Sequence, residues 1–198
     1  MWQFSSIRFA IHALQAYTPD KMYQSVSEID WEKWEPVERA TLLFVVRDEQ
    51  ILLIEKKRGI GAGKINGPGG RIEAGETAME CAVREVEEEL CVTPTGVRHC
   101  AELSFQFIDG YSLHGSIFMA DDCRGEARET PEAVPVWTPL DEIPYERMWA
   151  DDIHWMPLVL DGKKVRGRFV FDGEDRMIDS EVELAPDLKA DEYVDANS

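Results

Sequence analysis

The chain has 198 residues, 44% of them hydrophobic, with 39 acidic side chains against 21 basic ones and a formal net charge of −18. That length suits one domain with a sizeable core, and the composition is that of a globular protein rather than a disordered one. So negative a chain excludes a protein that grips long nucleic acid through clustered Lys and Arg, and no run approaches the ~20 apolar residues of a membrane span. Cys81, Cys91, Cys100 and Cys123 have no C-x-x-C spacing. Packing cysteines in a reduced, cytoplasmic protein are therefore expected, not a zinc site or a disulfide framework.

Residues 1–38 read as an amphipathic N-terminal extension, partly helical, with Trp31 and Trp34 on one short helix. Arg8 and His12 interrupt its apolar start and no small-residue cleavage site follows, which argues against a secretory signal. Met22 offers an alternative start, which makes the first 21 residues dispensable. A single domain is expected over 39–184. It begins with "ATLLFVV" and "ILLIEKK", two strands joined through "RDEQ" as a hairpin. The loop "RGIGAGKINGPGG" leads into a short strand, not directly into a helix, so it is no dinucleotide fingerprint. Ile65 follows Lys64 where a phosphate-binding loop needs Ser or Thr.

Thr77 to Leu90 is the clearest helix, with Ala78, Cys81, Ala82, Val86 and Leu90 on one face at spacings of three and four. Two longer strands follow, "GVRHCAELSFQFID" and "YSLHGSIFMADD", turning near Asp109-Gly110. Then come the strand "VPVWTPL", a helix near "DDIHWMPLVL", and a last hairpin around Asp172-Gly173. Residues 185–198 read as an acidic, frayed tail.

The segment "GGRIEAGETAMECAVREVEEELCV" concentrates Glu73, Glu76, Glu80, Glu85, Glu87, Glu88 and Glu89, with Arg84 the single cation after Arg71. Glu85, Glu88 and Glu89 fall on a helix face opposite the apolar one and repel each other. A solvated face is the ordinary explanation of such a run. The offsets linking Gly70, Glu76, Arg84, Glu85, Glu88 and Glu89 argue otherwise, since such a set arises by accident about once in 10⁵ chains of this length. Carboxylate oxygens are hard ligands for Mg²⁺ or Mn²⁺, Gly70 lets the loop backbone come close with a carbonyl oxygen, and Arg84 can orient a carboxylate by a bidentate pair.

This segment resembles the Nudix box, the signature of hydrolases that cleave nucleoside diphosphates linked to another group. The resemblance implies an α/β/α sandwich with a mixed sheet, in which a loop, helix and loop bind Mg²⁺ against a diphosphate. It implies metal binding and water activation by Glu85, Glu88 and Glu89, with Gly70 at the metal and Glu76 and Arg84 in support. Cys91 stands where the box has a glycine, the residue of a left-handed helix cap, which predicts about 1 kcal/mol of local strain or a differently shaped turn.

"KKRGIGAGKINGPGG" and "MWADDIHWMPLVLDGKKVRGRFVFDGEDRMID" are similar to the MutT-like oxidised-purine nucleoside triphosphatases, which act on 8-oxo-dGTP and 2-hydroxy-dATP. That similarity implies a base pocket of Thr41, Lys56, Asn66, Phe105, Phe107, Trp149, Asp151, Asp152 and Trp155, with Glu132 a further acidic residue approaching the metal. Ile60, Ile65, Pro68 and Ala133 replace Phe, Trp, Phe and Met of the animal enzymes, which predicts a wider pocket. Each member has a structural reading too: Asn66-Gly67 as a turn pair, Asp151 and Asp152 as helix caps. The expected product pair is a nucleoside monophosphate and pyrophosphate, and the expected state is a monomer acting on a small nucleotide, without membrane or long nucleic acid. A pyrophosphatase of broader specificity, for general nucleoside triphosphates or dihydroneopterin triphosphate, is the alternative within the family. A nucleotide-sensing module without turnover, or a scaffold using the N-terminal extension as a partner arm, is the alternative outside it.

Overall fold

The computed structural model describes residues 23–59, 61–173 and 176–189. The expectations for residues 1–22, for Ile60 and for the end of the tail lie outside the described residues.

The first expected hairpin forms from β1 (Glu38–Arg47) and β2 (Gln50–Lys56), with Arg47 facing Gln50 across a two-residue turn. Asp48 and Glu49 both adopt positive φ, 51° and 58°, which matches the twist that a two-residue hairpin demands. β3 (Ile65–Asn66) returns along β2. Helix α1 (Ala78–Leu90) follows, started by a capping box in which the Thr77 hydroxyl accepts from Glu80 N–H and the Glu80 carboxylate accepts from Thr77 N–H. Beyond α1 lie β4 (Thr93–Thr95), β5 (Arg98–Phe107), β6 (Ser112–Ala120), β7 (Asp122–Arg124) and β8 (Ala133–Pro139). Helix α2 (Asp152–Leu160) and the hairpin of β9 (Val165–Phe171) and β10 (Met177–Leu184) complete the domain.

The main sheet runs β10-β9-β5-β6-β1-β2-β3, with β8 along the other edge of β2, while β4 and β7 pair separately. It is mixed, as expected: β1 with β6 and β5 with β9 are parallel, the other neighbours antiparallel. Strand alternation divides the core in two. Leu43, Val45, Leu52 and Ile54 point to one face and pack under Ala78, Ala82, Val86 and Leu90 of α1. Phe44, Ile51 and Leu53 point to the other and pack with Trp155, Met156 and Val159 of α2. The result is the α/β/α sandwich.

Residues 23–37 differ from the expectation. Instead of a helix carrying both tryptophans, they form a 3₁₀ turn at Val26–Glu28 and a second turn closed by Lys33 N–H donating to Asp30. They lie on β9 and β10, where Val26 N–H donates to Asp179 and the Arg168 guanidinium sits 5.7 Å from the Trp31 ring. Trp34 donates its indole N–H to Gln106 at 2.9 Å. Nearby, buried Glu102 takes His114 Nε2 at 2.5 Å, His99 Nε2 at 2.6 Å and the Ser116 hydroxyl. Burial opposes its charge, yet the two imidazoles prevail and hold its carboxyl at about 2. The tail is tied at its start, with Ala185 N–H donating to Lys164 and Lys164 Nζ donating to Leu188.

Cys91 ends α1 at φ 60°, ψ 28°, its N–H donating to Glu87. It therefore carries a side chain in the left-handed cap that favours glycine. Cys91→Gly is expected to stabilise the protein by about 1 kcal/mol; urea unfolding should show a higher midpoint at unchanged slope, and an unchanged or lower midpoint would mean that the cap is unstrained.

Candidate active site

The loop from Gly67 to Glu76 takes the edge of β1 that β2 has left. Leu43 N–H donates to Pro68, Thr41 N–H donates to Gly70, and Ile72 N–H donates to Arg39. These bonds hold the loop so tightly between β1 and α1 that side chains are excluded at two positions. A Cβ on Gly69 would lie 2.0 Å from the Thr41 carbonyl oxygen, and one on Gly70 would lie 2.4 Å from the Glu85 carboxyl. Gly70, expected to bring its carbonyl to a metal, here accepts from Thr41 N–H and lies against the Glu85 carboxyl.

Arg84 organises the acidic residues. Its Nε and Nη2 donate to the two oxygens of Glu76 at 3.1 and 2.7 Å, its Nη1 donates to Glu85 at 2.7 Å and to Glu88 at 3.3 Å, and Nη2 also donates to the Arg71 carbonyl. The Glu76 carboxyl is held below the usual carboxylate range chiefly by the Arg84 bond. The three helix glutamates are not equivalent. The Glu88 side chain is 61% exposed, Glu85 15% and Glu89 only 2%. Glu89 turns inward, accepting from Gly69 N–H at 3.0 Å and lying 3.5 Å from Lys56 Nζ. Burial pushes its carboxyl up, opposed mainly by Lys56.

Among the described residues no three carboxylate, imidazole or thiol groups converge closely enough to enclose an ion. The chain's own cations and amides divide the carboxylates between them. The donor set itself suits a hard divalent cation: oxygens of Glu85, Glu88 and Glu89 on one helix, beside a loop glycine with no side chain to obstruct them. Glu132, expected beside the metal, is paired with Arg58, and its N–H donates to the Thr130 hydroxyl.

On the other face of the sheet lies a second cluster. Asp151 and Asp152 are both buried at the start of α2. Neither caps the helix in the ordinary way. Asp151 makes no side-chain cap bond but accepts from the Trp155 indole N–H at 3.0 Å, and Asp152 accepts from Trp149 N–H at 3.0 Å. Burial raises the Asp151 carboxyl to about 6, and burial together with the Asp151 charge raises Asp152 well above its ordinary range. Phe171 links this pair to the aromatic residues of the strands: its ring lies 6.5 Å from Trp149, 5.4 Å from Phe107 and 6.2 Å from Phe105.

The structure thus brings together Phe105, Phe107, Trp149, Asp151, Asp152 and Trp155. It does not bring Thr41 and Lys56 to them. Thr41 shares its face of β1 with Leu43 and donates its hydroxyl to Cys81 of α1 at 3.3 Å. Lys56 follows Ile54 in alternation and meets Glu89. Asn66 is engaged locally, its Oδ1 accepting from Gly67 N–H at 2.8 Å, beside Ile54 of the α1-side core. Of the substituted positions, Ala133 packs in that α1-side core, away from Trp149, whereas Ile65 is buried on the aspartate side. Sequence reasoning missed Lys64, whose Nζ lies 4.7 Å over the Trp149 ring, and Phe44 and Phe171, strand residues that read as plain core.

This fold, with its loop, glutamate helix and arginine clamp, places the chain in the Nudix family of hydrolases, enzymes acting on nucleotide phosphoanhydride bonds: residues 36–159 match the NUDIX domain. Members of the family generally use a divalent cation. The chain is similar to the oxidized purine nucleoside triphosphate hydrolase of Danio rerio, 42% identical over 75% of this chain and 96% of that one, and to that of Mus musculus, 39% identical over 70% and 89%. The crystal structure of a MutT protein from Bacillus halodurans superposes with a TM-score of 0.68 at 27% identity, over 74% of this chain and 98% of that one.

Gly70→Ala is expected to preserve the far-ultraviolet circular dichroism and cost on the order of 100-fold in cation-dependent turnover, because it displaces Glu85 by about 1 Å. Full turnover would show that the Gly70–Glu85 contact is dispensable. The raised aspartates also make a pH prediction. Protons held more tightly in the folded state give stability that is complete below the ordinary Asp range near pH ~4 and lost as pH rises through about 6. Asp152→Asn should therefore lose less stability than the parent between pH 5 and 8 in urea unfolding; an equal loss would remove Asp152 as a source.

Proposed function

We propose that the chain hydrolyses oxidised purine nucleoside triphosphates, 8-oxo-dGTP and 2-hydroxy-dATP, to the monophosphate and pyrophosphate, as a monomeric, cytoplasmic, Mg²⁺-dependent enzyme of the nucleotide pool. The observation that carries the reading is the buried pair Asp151 and Asp152 beside the half-buried Trp149. An indole offers a stacking face. Two crowded carboxyls with raised affinity for protons offer both a donor and an acceptor to a purine edge. The named activities of the zebrafish and mouse relatives, which this chain matches over nearly their whole length, support the same substrate class.

The residues of the α1 side have the complementary task. Glu85, Glu88 and Glu89 would hold the cation, with the Gly70 carbonyl beside them. When bound, the cation neutralises diphosphate charge and makes a water more acidic. Arg84 fixes Glu76 and steadies Glu85, while Glu88 and Glu89 would have to turn from Arg84, Gly69 N–H and Lys56 to converge with it on the cation. Glu85 or Glu88 is positioned to take the proton of the attacking water, Glu88 being the most exposed of the three. Glu132 reaches the site only by leaving Arg58. Lys56 serves the phosphate side through Glu89 and not the base.

A broader pyrophosphatase is the second reading, favoured by Ile65 where bulkier aromatic residues stand in animal enzymes. The two are separated by kcat/KM for 8-oxo-dGTP, 2-hydroxy-dATP, dGTP, dATP and dihydroneopterin triphosphate. The proposal expects at least a tenfold preference for oxidised purines, with pyrophosphate as product, loss of turnover on chelation and recovery with Mg²⁺ or Mn²⁺. Equal turnover of dGTP and dATP would overturn the substrate class and leave the phosphate chemistry standing. Asp152→Asn should lose preference for one oxidised base more than for the other.

A further inference from the structure

The basic stretch that begins at the end of β2 treats its cations unequally. Lys56 sits against Glu89, Lys57 against Glu129 and Arg58 against Glu132. Lys64 is placed instead over the ring of Trp149, with Nζ 4.7 Å from the centroid.

The loop holds it there. Lys56 N–H donates to the Lys64 carbonyl at 3.1 Å, Gly63 N–H donates to Lys56 at 2.7 Å, and Lys64 N–H donates to Gly61 at 2.9 Å. Gly61 itself packs on the indole: a Cβ there would lie 3.3 Å from Trp149 Nε1, at a φ of +80°. Trp149 is thus held twice, its ring by Gly61 and Lys64 and its backbone by the bond to Asp152.

We propose that Lys64 is a specificity-determining residue of the base pocket: its ammonium steadies the Trp149 ring and presents a positive charge to the Asp151–Asp152 pair that a purine must meet. The inference rests on the base pocket described under Proposed function.

Two physical effects act together. A cation over an indole face is attracted by the ring quadrupole, so the ring that offers a stacking surface is presented in one orientation. The same charge favours the ionised form of Asp152 against burial and against Asp151. Among the described residues Tyr145, from the turn before α2, also reaches Asp152, and its hydroxyl is itself pushed up by burial and by that carboxylate. One oxygen of each aspartate is engaged, by Trp155 and by Trp149 N–H. The charge state of what remains decides whether a base edge meets a donor or an acceptor. Lys64 lowers the pH at which the pair first becomes negative, and so selects the base form it reads best.

The test compares the parent with Lys64→Met and Lys64→Arg. In Lys64→Met, kcat/KM for the preferred purine nucleotide should fall about five-fold through KM, from loss of the ring contact. The aspartate limb of its pH profile should move up by about half a unit. Lys64→Arg should restore both. A limb that stays in place in Lys64→Met, or moves equally in Lys64→Arg, overturns the proposal even when KM rises, because a merely structural role loosens Trp149 without shifting titration. Urea unfolding from pH 4.5 to 8.5 reads the pair without substrate: the loss of stability on raising pH should move upward in Lys64→Met and return in Lys64→Arg. A parent enzyme with no preference for oxidised purines would end the reading of the base, while the unfolding titration would still judge Lys64.

Discussion

One guanidinium ties the loop to the helix. Arg84 donates to Glu76 twice, to Glu85, to Glu88 and to the Arg71 carbonyl, and it meets these partners from the middle of α1. Without it, Glu76, Glu85 and Glu88 would face one another beside a loop that Gly70 brings against the Glu85 carboxyl. The close approach is sterically possible because of the glycines and electrostatically tolerable because of the arginine. Both conditions are needed to carry so much negative charge on one turn of chain before any substrate arrives.

The sheet separates two kinds of chemistry. Its α1 side holds the carboxylates and Lys56, and its α2 side holds the aspartate pair and the aromatic rings. β1 and β2 supply the floor of both, since alternate residues of one strand face opposite layers. Polyphosphate and base are thereby handled by groups whose charges need not be compatible. Helix carboxylates tied to Arg84 and Lys56 sit on one side, and a buried aspartate pair whose carboxyls burial pushes up sits on the other.

Most of the architecture was legible in the sequence because its signals are local: the 3.6-residue repeat of α1, the apolar strands and the turn pairs between them. The glutamate face was legible as charge but not as geometry. Glu89 shares its side of a helical wheel with Glu85 and Glu88, yet the loop returning at Gly69 covers it, and that contact joins residues twenty positions apart. Thr41 and Lys56 meet the α1 side for a simpler reason: Thr41 and Leu43, like Lys56 and Ile54, share a face of a strand. Lys64 and Phe171 meet Trp149 from separate elements, so no spacing in the sequence announces them. The tryptophans at 31 and 34 suggested a helix by their interval, whereas tertiary contacts with Arg168 and Gln106 hold them on a turn and the irregular segment after it.

The layer made by residues 23–37 has a bearing on where this domain ends. The family match stops at residue 159 and begins at 36, but β5 has β9 as its parallel neighbour from Ala101 to Phe107, and β9 in turn has β10. Residues on either side of the match therefore finish a single sheet: the later ones supply two of its strands, and the earlier ones cover those strands and the buried Glu102 group. A shared family pattern marks the part of a chain that relatives use alike. Which strands must be paired is a separate matter, and here the sheet runs two strands past that pattern while residues ahead of it lie against those strands.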